Sequence, residues 1–248
     1  MKLKFITDVS KLYSCLSELK PYQKIIDDAK ASGNKEAEYE AILKATQVWS
    51  DSLIKKFGIK VTVIGKENLP TEGGVLFVGN HQGNLDPLIM YNAIDTVPFG
   101  SIAKKEILKV PKYNKWMERI NCIFLDRGNP RASLKSITTA IELINDKFSV
   151  LVFPEGTRSQ STEMGTMKSG AFKIATKTKA PIIPFSINGT FKLFEEHGKI
   201  VPGEVFVKIH PPINTVDMTK EESRSLPSIV EQIVADGVRE LNELYPIQ

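Results

Sequence analysis

The chain has 248 residues, 42% hydrophobic and 25% charged, with a formal net charge of +4 at pH 7. This composition is typical of a globular protein with a sizeable core and excludes a largely disordered chain. No stretch approaches the roughly 18 apolar residues that a membrane span requires. Residues 1–15 carry charges within their apolar stretch, so we expect no signal peptide. The two cysteines lack the close spacing of a metal site, and we expect free thiols in a reducing compartment.

The first 57 residues have a different pattern from the rest of the chain. Apolar residues recur at helical spacing over residues 5–19, and Pro21 is predicted to end that helix. A second amphipathic helix is predicted from Tyr39 to Phe57, with Gly58 as its stop. We therefore predict an N-terminal two-helix amphipathic hairpin over residues 1–57. Its apolar faces either pack on the core of the following domain or enter a lipid interface.

Strands and helices alternate from residue 59 onward. Strands are predicted over IKVTVIG, GVLFVGN, FGSIA, CIFLDR, SVLVFPEGT, PIIPFSING and EVFVKIH. Helices are predicted after Asp86-Pro87, over KKEIL, after Asn129-Pro130, over KSGAFKIATKT and near the C-terminus. This alternation predicts an α/β domain over residues 58–248, with a mainly parallel central sheet flanked by helices.

Polar clusters follow three of the predicted strands. They cover residues 80–86, 126–129 and 154–159. Ligands of open α/β sheets gather at the carboxyl ends of the strands. If these strands are parallel, the three clusters meet at one edge of the sheet, where we expect the functional site.

The first cluster contains a histidine and an aspartate five positions apart, His81 and Asp86. A carboxylate on one imidazole nitrogen would leave the other nitrogen free to take a proton from a hydroxyl. There is no G-x-S-x-G motif, which favours direct attack by a substrate hydroxyl without a covalent intermediate. Alternatively, Asp86 is only a helix cap and His81 a loop residue.

Two arginines, Arg127 and Arg158, follow strands in the second and third clusters. Their forked guanidinium groups could hold a phosphate monoester, or they could be structural. The lysines near the same strand ends could assist, namely Lys104, Lys105 and Lys168. Glu155 could orient Arg158, orient loop amides or serve packing alone.

The remaining histidines, His197 and His210, suggest no function. The sequence has no phosphate-binding P-loop and no G-x-G-x-x-G motif. A zinc site would need more ligands than the first cluster offers, so we expect no metal.

Four segments together resemble the motifs of the glycerolipid acyltransferases. In the order in which that family carries them, they are NHQGNLD, FLDR, FPEGTRS and APIIPFSI, and they span residues 80–187. A lone H-x4-D is weak evidence, whereas four motifs in order are highly specific. The stretch MKSGAFKIA, which follows the third motif, resembles the branch that acylates 1-acyl-sn-glycerol-3-phosphate (lysophosphatidic acid).

This resemblance implies an enzyme that moves a fatty acyl group from an acyl thioester to the 2-hydroxyl of lysophosphatidic acid, giving phosphatidic acid. His81 would be the general base and Asp86 would orient it. Arg127 and Arg158 would bind the substrate phosphate with help from Lys105 or Lys104. The third motif's turn would be shaped by Glu155, Gly156 and Thr157.

The resemblance also implies partners and a location. The co-substrate would be an acyl carrier protein or coenzyme A thioester, with no further cofactor, no metal and no nucleic acid. We expect a peripheral or monotopic protein on the cytoplasmic face of the cell membrane, held by its N-terminal helices. The tetrahedral oxyanion needs donors, for which amides of the 81–86 loop or Gly156 are candidates.

Three alternatives stay open from the sequence. One is an acyltransferase with another acceptor, such as glycerol-3-phosphate or a different lyso-lipid. Another is a lipid hydrolase in which His81 activates water. The last is a lipid-binding module without catalysis, although binding alone would not need a base.

Overall fold

The computed structural model describes residues 13–126 and 130–247, apart from the side chains of residues 130–133. Its strands are β1 (Ile59–Ile64), β2 (Leu76–Gly79), β3 (Phe99–Lys104), β4 (Ile123–Leu125), β5 (Ser149–Val152), β6 (Ile182–Asn188) and β7 (Gly203–Ile209). These strands form one sheet in the order β1-β7-β6-β2-β5-β3-β4. The predicted α/β class with a mainly parallel sheet is confirmed.

The five strands β2 to β6 run parallel, in the spatial order β6-β2-β5-β3-β4. β7 pairs antiparallel with β6, and β1 pairs parallel with β7. The carboxyl ends of the five parallel strands therefore share one edge of the sheet. This edge carries the residues after β2 and β5, where two of the polar clusters were predicted to meet.

Helices cover both faces of the sheet. They are α1 (described over residues 13–18), α2 (Lys20–Ser32), α3 (Lys35–Phe57), α4 (Asp86–Ala93), α5 (Tyr113–Arg119), α6 (Pro130–Asn145), α7 (Phe172–Thr178), α8 (Thr190–Phe194) and α9 (Lys220–Leu244). Short 3-10 helices occur at Lys66–Asn68, Lys105–Lys109 and Ser169–Ala171. Alternate residues of β2 face opposite sides, so that Phe77 joins the core under α3 and α4 while Val78 joins the core under α6, α7 and α9.

A helical hairpin is present, but its first arm is α2 and not the predicted helix over residues 5–19, of which residues 5–12 lie outside the described residues; its second arm is α3. Gly33 ends α2 in the left-handed conformation, and the Asn34 side chain accepts a hydrogen bond from the Ala37 amide at the start of α3. Gly58 ends α3 as expected. Pro21 lies in the first turn of α2, where a missing N–H costs nothing, so it begins a helix that the sequence analysis did not assign.

The apolar face of the hairpin packs on the α/β domain. Ile42, Trp49 and Leu53 of α3 are almost fully buried and belong to the same core as the sheet residues Phe77 and Phe99. Trp49 also contacts Trp116 of α5 edge to face, with ring centroids 5.7 Å apart. Within the described residues, no helix is long and apolar enough to cross a membrane. A role of residues 1–57 as a lipid anchor stays a prediction.

A buried polar group ties α9 to the antiparallel part of the sheet. His210 follows β7, and its Nε2 lies 2.8 Å from the Ser186 hydroxyl. That hydroxyl donates to the Val234 carbonyl of α9 at 2.8 Å, so the imidazole N–H is the donor to Ser186. Burial, together with nearby Lys208, lowers the pKa of His210 to about 4.

This burial predicts a loss of stability in acid. The unfolded chain binds a proton on His210 near pH 6.5, whereas the folded chain resists protonation until about pH 4. Stability contributed by the neutral imidazole is therefore complete above pH 6.5 and falls as the pH drops toward 4, by about 3 kcal/mol. Urea unfolding between pH 7 and pH 4 should show this fall in the wild type and a shallower one in His210→Gln. His197→Gln, at an exposed site, should keep the wild-type slope. Equal slopes in all three proteins would contradict the assignment.

Candidate active site

The end of β2 is locked to the end of β6. The Asn80 side chain donates to the Ile187 carbonyl at 2.9 Å and accepts from the Ile187 amide at 2.8 Å. The Gln82 side chain likewise accepts from the Gly189 amide at 2.9 Å. These side chains continue the pairing of the two strands beyond their last backbone bonds. The loop that carries His81 is thus held on a rigid support.

His81 and Asp86 lie together at this strand end. Nδ1 of His81 is 2.7 Å from Oδ2 of Asp86, whose side chain is fully buried. The same oxygen accepts the amides of Gln82 at 2.6 Å and Gly83 at 3.0 Å. The carboxylate therefore turns back into the loop and does not cap α4, for which no side-chain cap is formed. The geometry excludes the simple helix-cap alternative.

The second Asp86 oxygen is held by a residue far along the chain. The Thr190 hydroxyl, buried at the start of α8, donates to Oδ1. Thr190 was missed from the sequence because the predicted strand PIIPFSING ends at the residue before it. The available signal was its position at the carboxyl end of β6, the same edge that carries the other clusters.

Glu155 holds the backbone of His81 in place. Its carboxylate accepts the His81 amide at 2.6 Å and the Gly165 amide at 2.8 Å. Burial raises the pKa of Glu155, and the two amide donors oppose that rise. The sequence left three roles open for Glu155, and the structure shows the one in which its carboxylate orients loop amides.

Glu195, which the sequence analysis did not consider, connects the first and third clusters. It accepts the Asn84 amide at 2.7 Å and pairs with Nη1 of Arg158 at 3.2 Å. Burial is the largest influence on the pKa of Glu195 and raises it. Its other oxygen is buried without a hydrogen-bond partner among the described residues. Arg158 is thus anchored on one edge, while its side chain remains 37% exposed.

A cleft of about 470 Å³ opens beside the imidazole. Its polar lining includes His81, Thr157, Arg158 and Lys104. The apolar wall comes from several elements and includes Trp49, Leu53, Leu85, Leu88, Ile107, Val110, Tyr113 and Met117. The imidazole stacks on Phe153 with centroids 4.2 Å apart. Its Nε2 makes no hydrogen bond within the described part of the chain. The cleft, which is largely apolar, thus contains both an imidazole nitrogen without a partner among the described residues and the cation of Arg158.

The other predicted phosphate ligands lie in different places. Lys105 is outside the cleft lining and pairs with Asp126 at 2.6 Å. Lys168 is exposed, and its Nζ lies over Gly156, where an added Cβ would be 2.9 Å away. Gly156 itself has a φ of 71°, which suits glycine at the turn. Arg127 lies outside the described residues.

Most of the amides considered as oxyanion donors are already used within the protein. The His81, Gln82, Gly83 and Asn84 amides serve Glu155, Asp86 and Glu195. The amides of Asp86 and Gly156 donate to the carbonyls of Gly83 and Phe153. The carboxylates that shape the loop therefore already accept hydrogen bonds from most of its backbone N–H groups. Among the described residues, no group of three or more His, Cys, Asp or Glu could hold a metal ion.

Comparison with known proteins places this site in a class. A family model described as Acyltransferase matches residues 60–188, more than half of the chain. The chain therefore belongs to the acyltransferase family of enzymes, and the resemblance carried by the four sequence motifs is confirmed.

Several similar proteins have a named activity. The 1-acyl-sn-glycerol-3-phosphate acyltransferase of Borreliella burgdorferi is 32% identical over 71% of this chain and 71% of that protein. A probable 1-acyl-sn-glycerol-3-phosphate acyltransferase of Mycoplasma pneumoniae is 33% identical over 76% of this chain and 72% of that protein. The crystal structure of PlsC from Thermotoga maritima, a 1-acyl-sn-glycerophosphate acyltransferase, matches with a TM-score of 0.74 and 27% identity. That match covers 96% of this chain and 98% of the PlsC chain.

Removal of the Thr190 hydroxyl tests the support of Asp86. Thr190→Val keeps the shape but leaves a buried carboxylate oxygen without its donor, and we expect a loss of about 1–3 kcal/mol in the free energy of unfolding. Thr190→Ser should restore most of that loss. Thr46→Val is the matched control, because the buried Thr46 hydroxyl bonds only to carbonyls of its own helix. Urea unfolding measures all three, and a Thr190→Val protein as stable as the wild type would refute the role.

Proposed function

We propose that this enzyme transfers a fatty acyl group from an acyl thioester to the 2-hydroxyl of 1-acyl-sn-glycerol-3-phosphate, giving phosphatidic acid. The observation that carries the proposal is a histidine bonded to a buried carboxylate and facing a cleft that also contains an arginine. The names of the similar proteins support the same acceptor.

The proposed chemistry uses one proton shuttle. Nε2 of His81 takes the proton of the acceptor hydroxyl while that oxygen attacks the thioester carbonyl. Asp86 keeps the proton on Nδ1 and stabilises the imidazolium. The tetrahedral intermediate then expels the thiolate, which receives the proton from Nε2. An ester bond forms, a thioester bond breaks, and a free thiol leaves, so no external proton is needed.

Arg158 is the proposed ligand of the acceptor phosphate. Glu195 fixes one edge of its guanidinium group, and the exposed remainder lies in the same cleft as His81. A phosphate monoester carries the charge and the acceptor oxygens that a guanidinium prefers. Lys104, which also lines the cleft, is a second cation for the same group. Arg127, Lys105 and Lys168 stay predicted ligands.

The apolar wall of the cleft fits the acyl group of a donor or acceptor lipid, and no further cofactor is proposed. The donor carrier is either acyl carrier protein or coenzyme A.

We also propose that the enzyme works peripherally on a membrane surface, since both the acceptor and the product are lipids. The expectation that this is the cytoplasmic surface rests on the two free cysteines.

Loss of the proposed base should remove most of the transfer activity. His81→Ala should lower kcat by about 10²–10⁴-fold, the usual contribution of general acid–base catalysis. The assay follows thiol release from acyl-coenzyme A and acyl carrier protein, with and without lysophosphatidic acid, and identifies the lipid product. His197→Ala, a surface histidine, should have wild-type activity.

The outcomes of this assay separate the alternatives. Release that needs both lysophosphatidic acid and His81 supports the transferase. Release of free fatty acid without the acceptor would identify a hydrolase. A folded protein that binds lipid and releases no thiol from either donor would indicate a binding module.

Loss of the phosphate ligand should be specific to the acceptor. Arg158→Ala should reduce kcat/KM for lysophosphatidic acid by about 10–150-fold, which corresponds to one charge-assisted hydrogen bond or pair. With 1-acylglycerol, which lacks the phosphate, the variant and the wild type should be equally slow. Arg224→Ala, on the exposed side of α9, is the control. An equal loss on both acceptors would make Arg158 a structural residue.

A further inference from the structure

Residues 104–115 form one wall of the cleft and also face outward; we name them the lip segment. Its inner side contributes Lys104, Glu106, Ile107 and Val110 to the cleft that holds His81. Its outer side lines a separate shallow hollow of about 380 Å³, which includes Leu108, Lys109, Pro111, Lys112, Asn114 and Lys115. A ligand at the outer side is therefore next to the entrance of the candidate active site.

The lip segment concentrates the positive charge of the chain. It has five lysines and one glutamate, which gives +4, the same as the net charge of all 248 residues. Lys105 is neutralised by Asp126 at 2.6 Å, and Lys104 lies 3.8 Å from Glu106. Lys109, Lys112 and Lys115 are exposed and make no ion pair within the described part of the chain. None of these three lysines lines the cleft, and Lys112 lies over the ring of Tyr13, with its Nζ 5.8 Å from the ring centroid.

Exposed apolar side chains lie between these lysines. Leu108 is 39% exposed and Val110 is 43% exposed. The described residues expose seven large hydrophobic side chains, and these two are the only pair close together in the chain. Scattered exposed leucines need no explanation, whereas apolar residues flanked by lysines are typical of a surface that enters a lipid interface.

The lip segment keeps a defined shape. The Val110 amide donates to the Ile107 carbonyl at 3.0 Å, and the Asn114 side chain donates to the Leu108 carbonyl at 3.1 Å. From α1, the Tyr13 hydroxyl donates to the Pro111 carbonyl at 3.0 Å. The lysines and apolar side chains therefore lie on a loop whose shape is already fixed. Docking then avoids the entropy cost of ordering a flexible loop.

We propose that the lip segment is a membrane-docking surface that contacts anionic lipid headgroups through Lys109, Lys112 and Lys115 and inserts Leu108 among them. The proposal rests on the proposed function, in which a lipid must pass between bilayer and cleft. Contact at the cleft wall gives that lipid a short path. This surface is additional to the N-terminal helices that the sequence analysis considered as an anchor.

Vesicle partition tests the surface without turnover. The probe is a vesicle of equal parts phosphatidylglycerol and phosphatidylcholine, and the full chain is tested by co-sedimentation at physiological salt. Lys109→Gln with Lys115→Gln should weaken partition by about 30-fold, roughly fivefold for each lysine near an anionic surface. Leu108→Ser should weaken it by about fivefold through lost apolar contact. Pure phosphatidylcholine should abolish the effect of the lysine changes but not that of Leu108→Ser.

The matched control removes two lysines from the opposite face of the sheet. Lys173→Gln with Lys177→Gln makes the same charge change on α7, where both lysines are exposed. This control should bind no more than about twofold more weakly than the wild type, because its lysines lie on the other face of the sheet and salt screens charges that are far from a bilayer. Equal weakening of both double variants would show attraction by net charge alone and would overturn the proposal.

Partition of the Lys109→Gln, Lys115→Gln variant equal to that of the wild type would also overturn the proposal, and so would no partition of either protein. If partition is equal and the variant loses activity only when acyl carrier protein is the donor, the lip segment is a docking site for that acidic protein. Vesicle partition needs no reaction, so the two proposals can fail separately. If the wild type is inactive on lysophosphatidic acid but the double lysine variant still loses vesicle binding, the proposed function is refuted and the docking surface is retained.

Discussion

The buried carboxylate of Asp86 is the group on which the geometry of the site depends. A carboxylate removed from water is costly unless its oxygens receive hydrogen bonds. Here the imidazole, two loop amides and the Thr190 hydroxyl supply them. These hydrogen bonds hold the 81–86 loop tightly over the start of α4. They also draw the β6–α8 junction against the loop. The orientation of the imidazole follows from the same set of bonds.

Two more buried carboxylates extend this arrangement outward. Glu155 connects the backbone of His81 to Gly165, and Glu195 connects Asn84 to Arg158. Burial raises the pKa of both groups, and the amide donors oppose that rise only in part. The 81–86 loop and the turn of the third motif are thereby held together. The proposed base and the proposed phosphate ligand, carried by different loops, thereby have a fixed separation, which an acyl transfer between two bound substrates would need.

The charges of the molecule are separated around the cleft. The carboxylates lie behind the loop, buried and bonded to amides, whereas Arg158 and Lys104 face the cleft. The uncompensated lysines of the lip segment lie on its outer side. An anionic lipid would therefore meet the lip lysines first and then Arg158 and Lys104. Glu106, 3.8 Å from Lys104, is a carboxylate that also lines the cleft, whereas the carboxylates that support the imidazole lie behind the loop. This separation joins the proposed chemistry to the proposed membrane contact.

The sequence by itself determined the elements whose signals are local. Alternating strands and helices predicted the α/β fold, and polar clusters after strands predicted the edge that carries the site. The spacing from His81 to Asp86 allowed their contact because a loop of that length can close. Helix α2 was not predicted, since Pro21 is equally suited to ending one helix and beginning the next. The four motifs, being specific in order, identified the family.

Only the tertiary structure decided which distant residues complete the site. Thr190 lies 104 positions from Asp86, and Glu195 lies 111 positions from Asn84, so no periodic pattern connects them. Their roles arise because β6 is the neighbour of β2 in the sheet, and strand order is a property of packing. Packing also decided that the apolar face of α3 lies on the core, a choice that an amphipathic pattern alone leaves open, because core and lipid offer the same apolar contact.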